Sequence, residues 1–383
     1  CTGCNNCFGC VNLKNKKYHI FNQPYPKEEY EKKIAEYRLD TRQGIDRARR
    51  ESDAFFKTLP HKDVHGYQNI ESTGEYVYES KNVKDAYGVR RTEDSRYCQL
   101  ITMGPVKDCY DYTEWGHNAS RLYECITTGE GIDNVHFSWA TWREGSMNNE
   151  YCMFVLSSQN VFGSIGMKKK QYCILNKQYT KEEYEKLRAQ IIADLEKDPY
   201  IDSKERVFKY GEFFPYDLSL FAYNETTAAQ YFPTTKEDIL RNGWRWREPA
   251  ANMYQPTKIV SELPQSIHDV QDDIVNEIIG CPECGKVYRI VKAELDLLRR
   301  FQFPLPTKCP DCRHFARLKR LNPPQLWDRV CHCGGERSLN GVYTNTVSHA
   351  HGAAHCGAAF KTAYSPDWPE IVYCDSCFKT EFI

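Results

Sequence analysis

The chain has 383 residues, of which 41% are hydrophobic, and its 51 Lys and Arg residues nearly balance 52 Asp and Glu residues. The length and the apolar content predict roughly two to four domains with packed cores, and the balanced charge excludes a chain that binds nucleic acid over its whole surface. No run approaches the roughly twenty apolar residues of a membrane span, and no signal peptide is visible.

Eighteen cysteines are present, and several of them have the spacing of metal ligands. Such a composition fits a reducing compartment with bound zinc better than an oxidising one. We therefore expect a cytoplasmic protein without membrane contact. Because the sequence begins at a cysteine within a repeat, we also expect the gene product to extend further upstream.

The first four cysteines recur at every third position, and this spacing alone is typical of an iron–sulfur cluster or of zinc. An internal repeat argues against a metal, because the segment from Phe8 returns from Phe162 with Val161 and Ser164 in place of two of these cysteines. Packing as small buried hydrophobes is therefore favoured, and a metal or cluster is the alternative. The four residues are Cys1, Cys4, Cys7 and Cys10.

Each copy of this repeat leads into a predicted helix. Pro26 suits the first turn of the first helix, which we expect to continue to about Ala54. Thr180 and Glu183 have the spacing of a capping box at the start of the second, which we expect to reach Leu195. Together these helices would close the ends of two repeat arrays.

Residues from about 68 to 177 carry a finer repeat of short β-prone pieces separated by Gly, Asn and Asp turns. Related segments recur about 23 to 28 residues apart, which predicts a parallel β-solenoid. An antiparallel sandwich is the alternative. No spacing among the acidic and histidine side chains of this region selects an active site. Five cysteines would stack inside the solenoid, namely Cys98, Cys109, Cys125, Cys152 and Cys173.

An aromatic and proline-rich connector follows the second capping helix. Within it, Thr234 or Thr235 is expected to cap a short helix that runs through Leu240 and ends at Asn242-Gly243. No other regular element is predicted there.

Two CPxC pairs follow the connector, and they give the sequence its clearest chemistry. Four thiolates supplied as two pairs are the usual closed tetrahedral site of a structural zinc, which has no open position for catalysis. Two disulfides are the alternative, but two matched pairs favour metal. A helix from Val291 to Phe301 is predicted between them. The four candidate ligands are Cys281, Cys284, Cys309 and Cys312.

Residues 281–320 resemble the treble-clef zinc-ribbon family. The resemblance implies zinc and frequent nucleic-acid contact, but no single activity. The order of repeats, connector and zinc elements also resembles cysteine-rich zinc-ribbon proteins of uncultured bacteria, whose function is unknown. The matching positions are Cys281, Cys284, Gly285, Tyr288, Glu294, Pro306, Lys308, Cys309, Cys312 and Arg313.

A second zinc site is expected near the end of the chain, which makes two zinc ions. Because CxC is a tighter bite than CxxC, one of the intervening residues could take the place of Cys331, namely His349, His351, His355 or Cys356. The alternative is a catalytic zinc with histidine ligands and one open position, although no Glu lies between the two histidines as the HExxH motif requires. The favoured ligands are Cys331, Cys333, Cys374 and Cys377.

The segment around the first zinc site is basic, with ten Lys or Arg against three Asp or Glu from Lys286 to Arg320. A basic ribbon held rigid by zinc is a candidate phosphate-backbone binder for RNA or DNA. Equally, these cations could be solvated or dock against the acidic segment 269–277. The candidate nucleic-acid-binding residues are Arg299, Arg300, Arg313, Arg317, Lys319 and Arg320.

These patterns predict a mixed, β-rich, multi-domain chain with a parallel β-solenoid-like array, capping helices and C-terminal treble-clef or zinc-ribbon modules. Five parts are expected. They are the end of a first array with its capping helix (1–60), a solenoid-like domain with its capping helix (61–196), the connector (197–264), a Cys4 zinc ribbon (265–322) and a second zinc-binding module (323–383).

The favoured function is a non-catalytic zinc-binding scaffold that contacts nucleic acid or a nucleoprotein through its basic zinc end. One alternative is a structural protein that self-associates through the solenoid, with zinc only for stability. The other is an enzyme that uses zinc or a solenoid face. The closed Cys4 site makes an enzyme the less favoured interpretation.

Overall fold

The computed structural model describes residues 1–250 and 252–383. The structure is β-rich, as the sequence predicts, and most of its strands pair in parallel. Among the described helices, none combines the length and the apolar character that crossing a membrane demands. The first elements are β1 Asn5–Phe8, β2 Lys17–Ile20, β3 Gln23–Pro24, α1 Lys27–Ala35 and α2 Arg42–Phe56.

The single helix expected up to Ala54 is instead two helices, and that expectation is wrong. Arg38 adopts a left-handed conformation (φ 50°) just after α1, and its guanidinium pairs with Asp40 at 2.9 Å. Thr41 then starts α2, because its hydroxyl accepts the backbone N–H of Gly44 at 3.1 Å. A left-handed residue followed by an N-cap ends one helix and begins another.

The central part of the chain is a succession of parallel strands, β5 to β16, which we call the parallel stack. A hairpin and a helix follow it. In chain order the elements are β4 Pro60–Lys62, β5 Gly66–Tyr67, β6 Gly74–Tyr78, β7 Lys81–Lys84, β8 Ala86–Arg90, β9 Thr92–Arg96, β10 Val106–Lys107, β11 Tyr110–Gly116, β12 Ala119–Gly129, β13 Ile132–His136, β14 Met147–Glu150, β15 Gln159–Phe162, β16 Gln171–Ile174, β17 Lys177–Gln178 and α3 Lys181–Lys197.

Paired residues in the parallel stack lie eleven to fourteen positions apart, with eleven between β5 and β6. Val77 faces Val89, twelve residues on, and Arg96 faces Tyr110, fourteen residues on. The expected spacing of about 23 to 28 residues is therefore about twice the observed one. The segments that lie between the repeats recognised in the sequence also form strands of the stack, so each expected repeat contains two layers. β10 and β11 each pair with β9 on one side and β12 on the other, so the pairings of these four strands close on themselves.

Burial in the parallel stack follows a period of three. The residue before each buried position adopts a left-handed conformation, as Asn82, Asp85 and Gly88 show. This conformation turns the chain, and Asn, Asp and Gly adopt it more readily than most residues. Each three-residue step therefore points one side chain inward. One such series of buried residues is Val83, Ala86, Val89, Thr92, Ser95 and Cys98.

The internal repeat seen in the sequence is a repeated structural unit. Phe8 pairs with Ile20 in the first copy, and Phe162 pairs with Ile174 in the second. In each copy an antiparallel hairpin follows and leads into α1 or α3. The expected capping box of α3 is confirmed, because Thr180 and Glu183 exchange both hydrogen bonds.

The connector contains little regular structure. The expected short helix is confirmed as α5, which begins after Thr235 and ends at Asn242. Its elements are β18 Tyr200–Ile201, β19 Val207–Phe208, α4 Ala228–Tyr231 and α5 Lys236–Arg241. Short 3-10 turns lie in and just beyond it, at Tyr216–Leu218, Tyr223–Glu225, Val260–Glu262, Ile267–Asp269 and Asp272–Asn276.

The C-terminal part supplies the remaining elements, and one of its strands returns to the beginning of the chain. Ile371 pairs with Pro60 and Tyr373 with Lys62, so β24 and β4 form a parallel pair. The elements are β20 Ile279–Gly280, β21 Val287–Tyr288, α6 Lys292–Phe301, α7 Pro310–Leu318, β22 Trp327–Val330, β23 Ala359–Thr362, β24 Ile371–Tyr373 and α8 Asp375–Phe382.

Candidate metal centres

Four sulfur atoms of residues 281–312 lie within 4.8 Å of one another and form what we call the first cluster. Cys284 and Cys309 place their Sγ atoms 3.6 Å apart. A tetrahedral zinc with bonds of about 2.3 Å holds its sulfurs about 3.7 Å apart, whereas a disulfide joins them at about 2.05 Å. The spacing therefore fits a shared metal ion. The members are Cys281, Cys284, Cys309 and Cys312.

Backbone amides prepare the first cluster for thiolates. The N–H of Cys309 donates to Cys281 Sγ, and the N–H of Cys312 donates to Cys309 Sγ, both at 3.4 Å. Burial raises the pKa of Cys281, but donors that include the amides of Cys309 and Cys284 outweigh it and lower that pKa to about 6. Because the thiolate is the form that binds metal, the lowered pKa prepares Cys281 as a ligand.

The positions that carry the treble-clef resemblance meet around this cluster. Gly285 is left-handed (φ 71°) where the chain turns back after the first pair. Tyr288 donates its hydroxyl to the carbonyl of Pro306 at 2.8 Å, and Arg313 pairs with Glu294 at 2.6 Å. These contacts tie the segment between the two pairs to the α7 end of the site.

A second group of four sulfurs, the second cluster, lies in residues 331–377. The Sγ atoms of Cys356 and Cys374 are 3.9 Å apart. Cys374 caps α8 as Cys309 caps α7, since its sulfur accepts the N–H of Cys377 at 3.5 Å. The members are Cys331, Cys356, Cys374 and Cys377.

This membership differs from the expected ligand set at one position. Cys356 was expected as a possible replacement for Cys331, but in the structure it replaces Cys333 and Cys331 remains a member. The carbonyl of Cys333 accepts the N–H of Cys356 at 2.9 Å. This contact holds Cys356 next to the second cluster. His355, another expected substitute, points Nε2 at the carbonyl of Cys331 at 2.8 Å and belongs to no cluster among the described residues.

A third cluster contains Cys333, His349, His351 and Cys377, so Cys377 belongs to two clusters at once. His351 Nε2 is 3.4 Å from Cys377 Sγ. His349 was one of the possible substitutes for Cys331, but the sequence analysis considered only His351 and His355 as a helical pair, and residues around them form turns instead. The HxH spacing of His349 and His351 was the signal available.

The six candidate nucleic-acid-binding residues do not form one free basic face. Arg299 pairs with Asp272 at 2.5 Å, Arg313 with Glu294, and Arg320 with Asp53 at 2.8 Å. The other three, Arg300, Arg317 and Lys319, are exposed. Half of the expected basic surface is therefore already neutralised within the chain.

The N-terminal cysteines join no metal cluster among the described residues. Cys10 Sγ donates to the carbonyl of His19 at 3.3 Å in the next layer, and Cys7 makes the equivalent contact with Lys16 at 3.7 Å. Within the parallel stack, burial raises the pKa of Cys125 and of Cys152 to about 12. Among the N-terminal four, Cys1 is exposed and Cys4, Cys7 and Cys10 are only partly buried. The expected burial is therefore found for the five cysteines of the parallel stack and not for these four.

No protein-family model, curated protein or solved structure matches the chain. The three clusters therefore stand on their geometry. Each brings four Cys or His donor atoms within 4.8 Å of one another, and each can hold a metal ion.

Proposed function

We propose that the chain is a non-catalytic zinc-binding scaffold in which metal ions fasten a C-terminal module, residues 323–383, to one end of a β-solenoid. The metal is zinc because sulfur-dominated sets of four donors in two pairs suit its tetrahedral preference. Four protein donors leave no coordination position for water or a substrate. A structural role therefore fits these sites better than catalysis.

The observation that carries the proposal is the position of β24. Its last residue, Tyr373, faces Lys62 of β4, and the next residue in the chain is the ligand candidate Cys374. One residue further, Asp375 pairs with Lys62 at 3.0 Å. Metal binding and docking therefore use the same few residues, so the loss of the metal should loosen the docked strand.

The parallel stack supplies the scaffold, and we interpret it as the β-solenoid. Its support is the parallel pairing at eleven to fourteen residues and the inward side chain at every third position. One end is covered by the β16–β17 hairpin and α3. At the other, Asn322, just before the module, donates through Nδ2 to Glu75 in β6 at 3.1 Å. Covered ends disfavour self-association through open strand edges.

Hydrogen exchange on the full chain, with and without a zinc chelator, tests the proposal. Chelation should expose the amides of β4 and β24 while those of β11 to β13 stay protected, because the parallel stack holds no metal in this scheme. Cys125→Ser, a change in the stack, should behave like the unmodified chain. Unchanged protection of β24 after complete zinc removal would contradict the proposal.

Contact with nucleic acid is a second candidate function, now limited to Arg300, Arg317 and Lys319. These three cations are exposed and form no ion pair among the described residues. Three phosphate contacts would give a shallow salt dependence, with a slope of about −2 for a single strand. Such binding would be weak and insensitive to sequence.

Replacing all three cations with Glu tests this second function. The affinity for a single-stranded RNA should fall by at least about tenfold, and its salt dependence should flatten. A matched control makes the same charge change at Lys168, Lys169 and Lys170, which are exposed on the parallel stack. Equal effects of the two variants would remove the candidate, because the binding would then reflect net charge alone.

A further inference from the structure

Two of the three clusters share a residue. Cys377 completes one set with Cys331, Cys356 and Cys374, and it completes another with Cys333, His349 and His351. A thiolate has several lone pairs and can bind two cations at once. We infer that Cys377 bridges two metal ions in a binuclear centre, so that the whole chain binds three ions and not two.

His351 is already oriented as a ligand. Its Nδ1 lies 2.7 Å from the carbonyl of Ala354, which fixes the proton on that nitrogen. The other nitrogen, Nε2, is then free of a proton and lies 3.4 Å from Cys377 Sγ. A nitrogen and a sulfur bound to one tetrahedral zinc are about 3.5 Å apart. A carbonyl that holds the second nitrogen is the usual support of a metal-bound histidine.

His349 is the other histidine of the third cluster, and its surroundings also fit a metal ligand. Its side chain is 1% exposed, and Nε2 lies 3.2 Å from Glu381 Oε2. Its Nδ1 is buried without any hydrogen-bond partner among the described residues. A buried, unpaired ring nitrogen requires an explanation, and a metal ion at Nδ1 supplies one. The carboxylate on the opposite nitrogen is a common support of a histidine that binds zinc.

The carboxylate of Glu381 is itself held in place. It accepts the Tyr343 hydroxyl at 2.8 Å and the backbone N–H of Thr346 at 2.7 Å. Cys333 has a comparable support, because Asn345 Nδ2 donates to its sulfur at 3.3 Å. Tyr373 in turn donates to Asn345 Oδ1 at 2.8 Å. Apart from the shared Cys377, each member of the third cluster is thus held by a hydrogen bond to a neighbouring group. These members are Cys333, His349 and His351.

Charge balance favours two cations over one. The two clusters together contain five cysteines and two histidines. With all five cysteines as thiolates, one divalent ion would leave a net charge of −3, whereas two divalent ions leave −1. Because buried, uncompensated charge is costly, the pair of ions is the better match for these largely buried ligands.

The inference rests on the proposed zinc binding, and zinc counting on the intact chain separates the two. Three zinc ions per chain are expected. The variant His349→Ala with His351→Ala should retain two, and His355→Ala should retain three, since His355 contacts only a backbone carbonyl. Two ions in the unmodified chain would overturn the inference and leave the proposed function standing. A chain without zinc would overturn both.

A second measurement needs no variant and is unaffected if a variant fails to fold. Replacement of zinc by ¹¹³Cd should give three resonances, two of them split by scalar coupling through the Cys377 sulfur. The third, from the first cluster, should be a singlet in the range of four sulfur ligands. Three uncoupled resonances would contradict the bridging role of Cys377.

Discussion

The chain divides its eighteen cysteines evenly between two regions, nine before residue 180 and nine after residue 280. In the N-terminal half five of the nine are buried in the parallel stack, and in the C-terminal part all nine belong to clusters that could hold a metal ion. The side chain is the same in both regions. The comparison therefore shows what the backbone contributes to the role of a cysteine.

In the parallel stack, a left-handed residue at every third position turns the chain and leaves single cysteines pointing inward. Their sulfurs meet backbone carbonyls, as Cys152 does with Val161 at 3.4 Å. Around the clusters, a cysteine caps a helix and a second follows three residues on, as in α7 and α8. An amide of the first helical turn then points at the sulfur of the capping cysteine in each case. Backbone donors thus face sulfur in the clusters, whereas backbone carbonyl acceptors face it in the parallel stack.

The largest expected effect comes from breaking a metal cluster. A structural zinc contributes about 10 to 16 kcal/mol to folding, so Cys374→Ser should lose zinc and unfold residues 323–383. The parallel stack should keep its structure. Zinc content together with residue-resolved hydrogen exchange checks both statements. A docked, exchange-protected β24 in this variant would show that metal is dispensable for the module.

A smaller effect is expected from an ion pair that fastens the parallel stack to its capping helix. Glu150 is buried and binds Arg188 at 2.5 and 2.8 Å. Burial raises the pKa of Glu150, but the nearby His136 and hydrogen bonds from Arg188 and Tyr210 have the larger, opposite effect and lower the pKa to about 2. Glu150→Gln leaves Arg188 without its partner and should cost about 3 kcal/mol at neutral pH.

The pH dependence of this variant follows from the lowered pKa. The ordinary value is 4.5, so the pair contributes its full stability above that pH and loses it as the pH falls towards about 2. The difference in unfolding free energy between the variant and the unmodified chain should therefore shrink over this interval. Glu182→Gln, on the exposed side of α3, is the matched control and should change little at any pH. If the difference in unfolding free energy between Glu150→Gln and the unmodified chain keeps its full size at pH 2, the ion pair is not its cause.

The smallest effect is expected for a cysteine in the parallel stack. Cys152 follows Ser138 and precedes Ser164 in one inner column, as the bridges Trp139–Met153 and Met153–Ile165 show. Ser164 already makes the backbone contact that a serine at 152 would make. Cys152→Ser should thus cost less than about 1 kcal/mol and leave the zinc content unchanged. Thermal unfolding and metal analysis would reveal a larger loss or a missing ion.

Local chemistry made part of this protein predictable from its sequence. The capping box at Thr180 and the cap at Thr235 depend on residues three positions apart. The internal repeat was visible because its two copies build the same hairpin and helix. The CxxC pairs bring two sulfurs close together through a single turn of backbone. In all these cases the partners are close in the chain, so short-range geometry decides the outcome.

Only the tertiary structure decided contacts between distant residues. It divided Cys331 and Cys333 between two clusters, gave Cys377 to both and brought in His349. It also neutralised Arg320 with Asp53, far earlier in the chain. Long loops separate these partners, and many closures of such loops differ little in entropy. The spacing of residues could therefore name candidates for the metal and basic sites, whereas contacts between residues far apart in the chain selected among them.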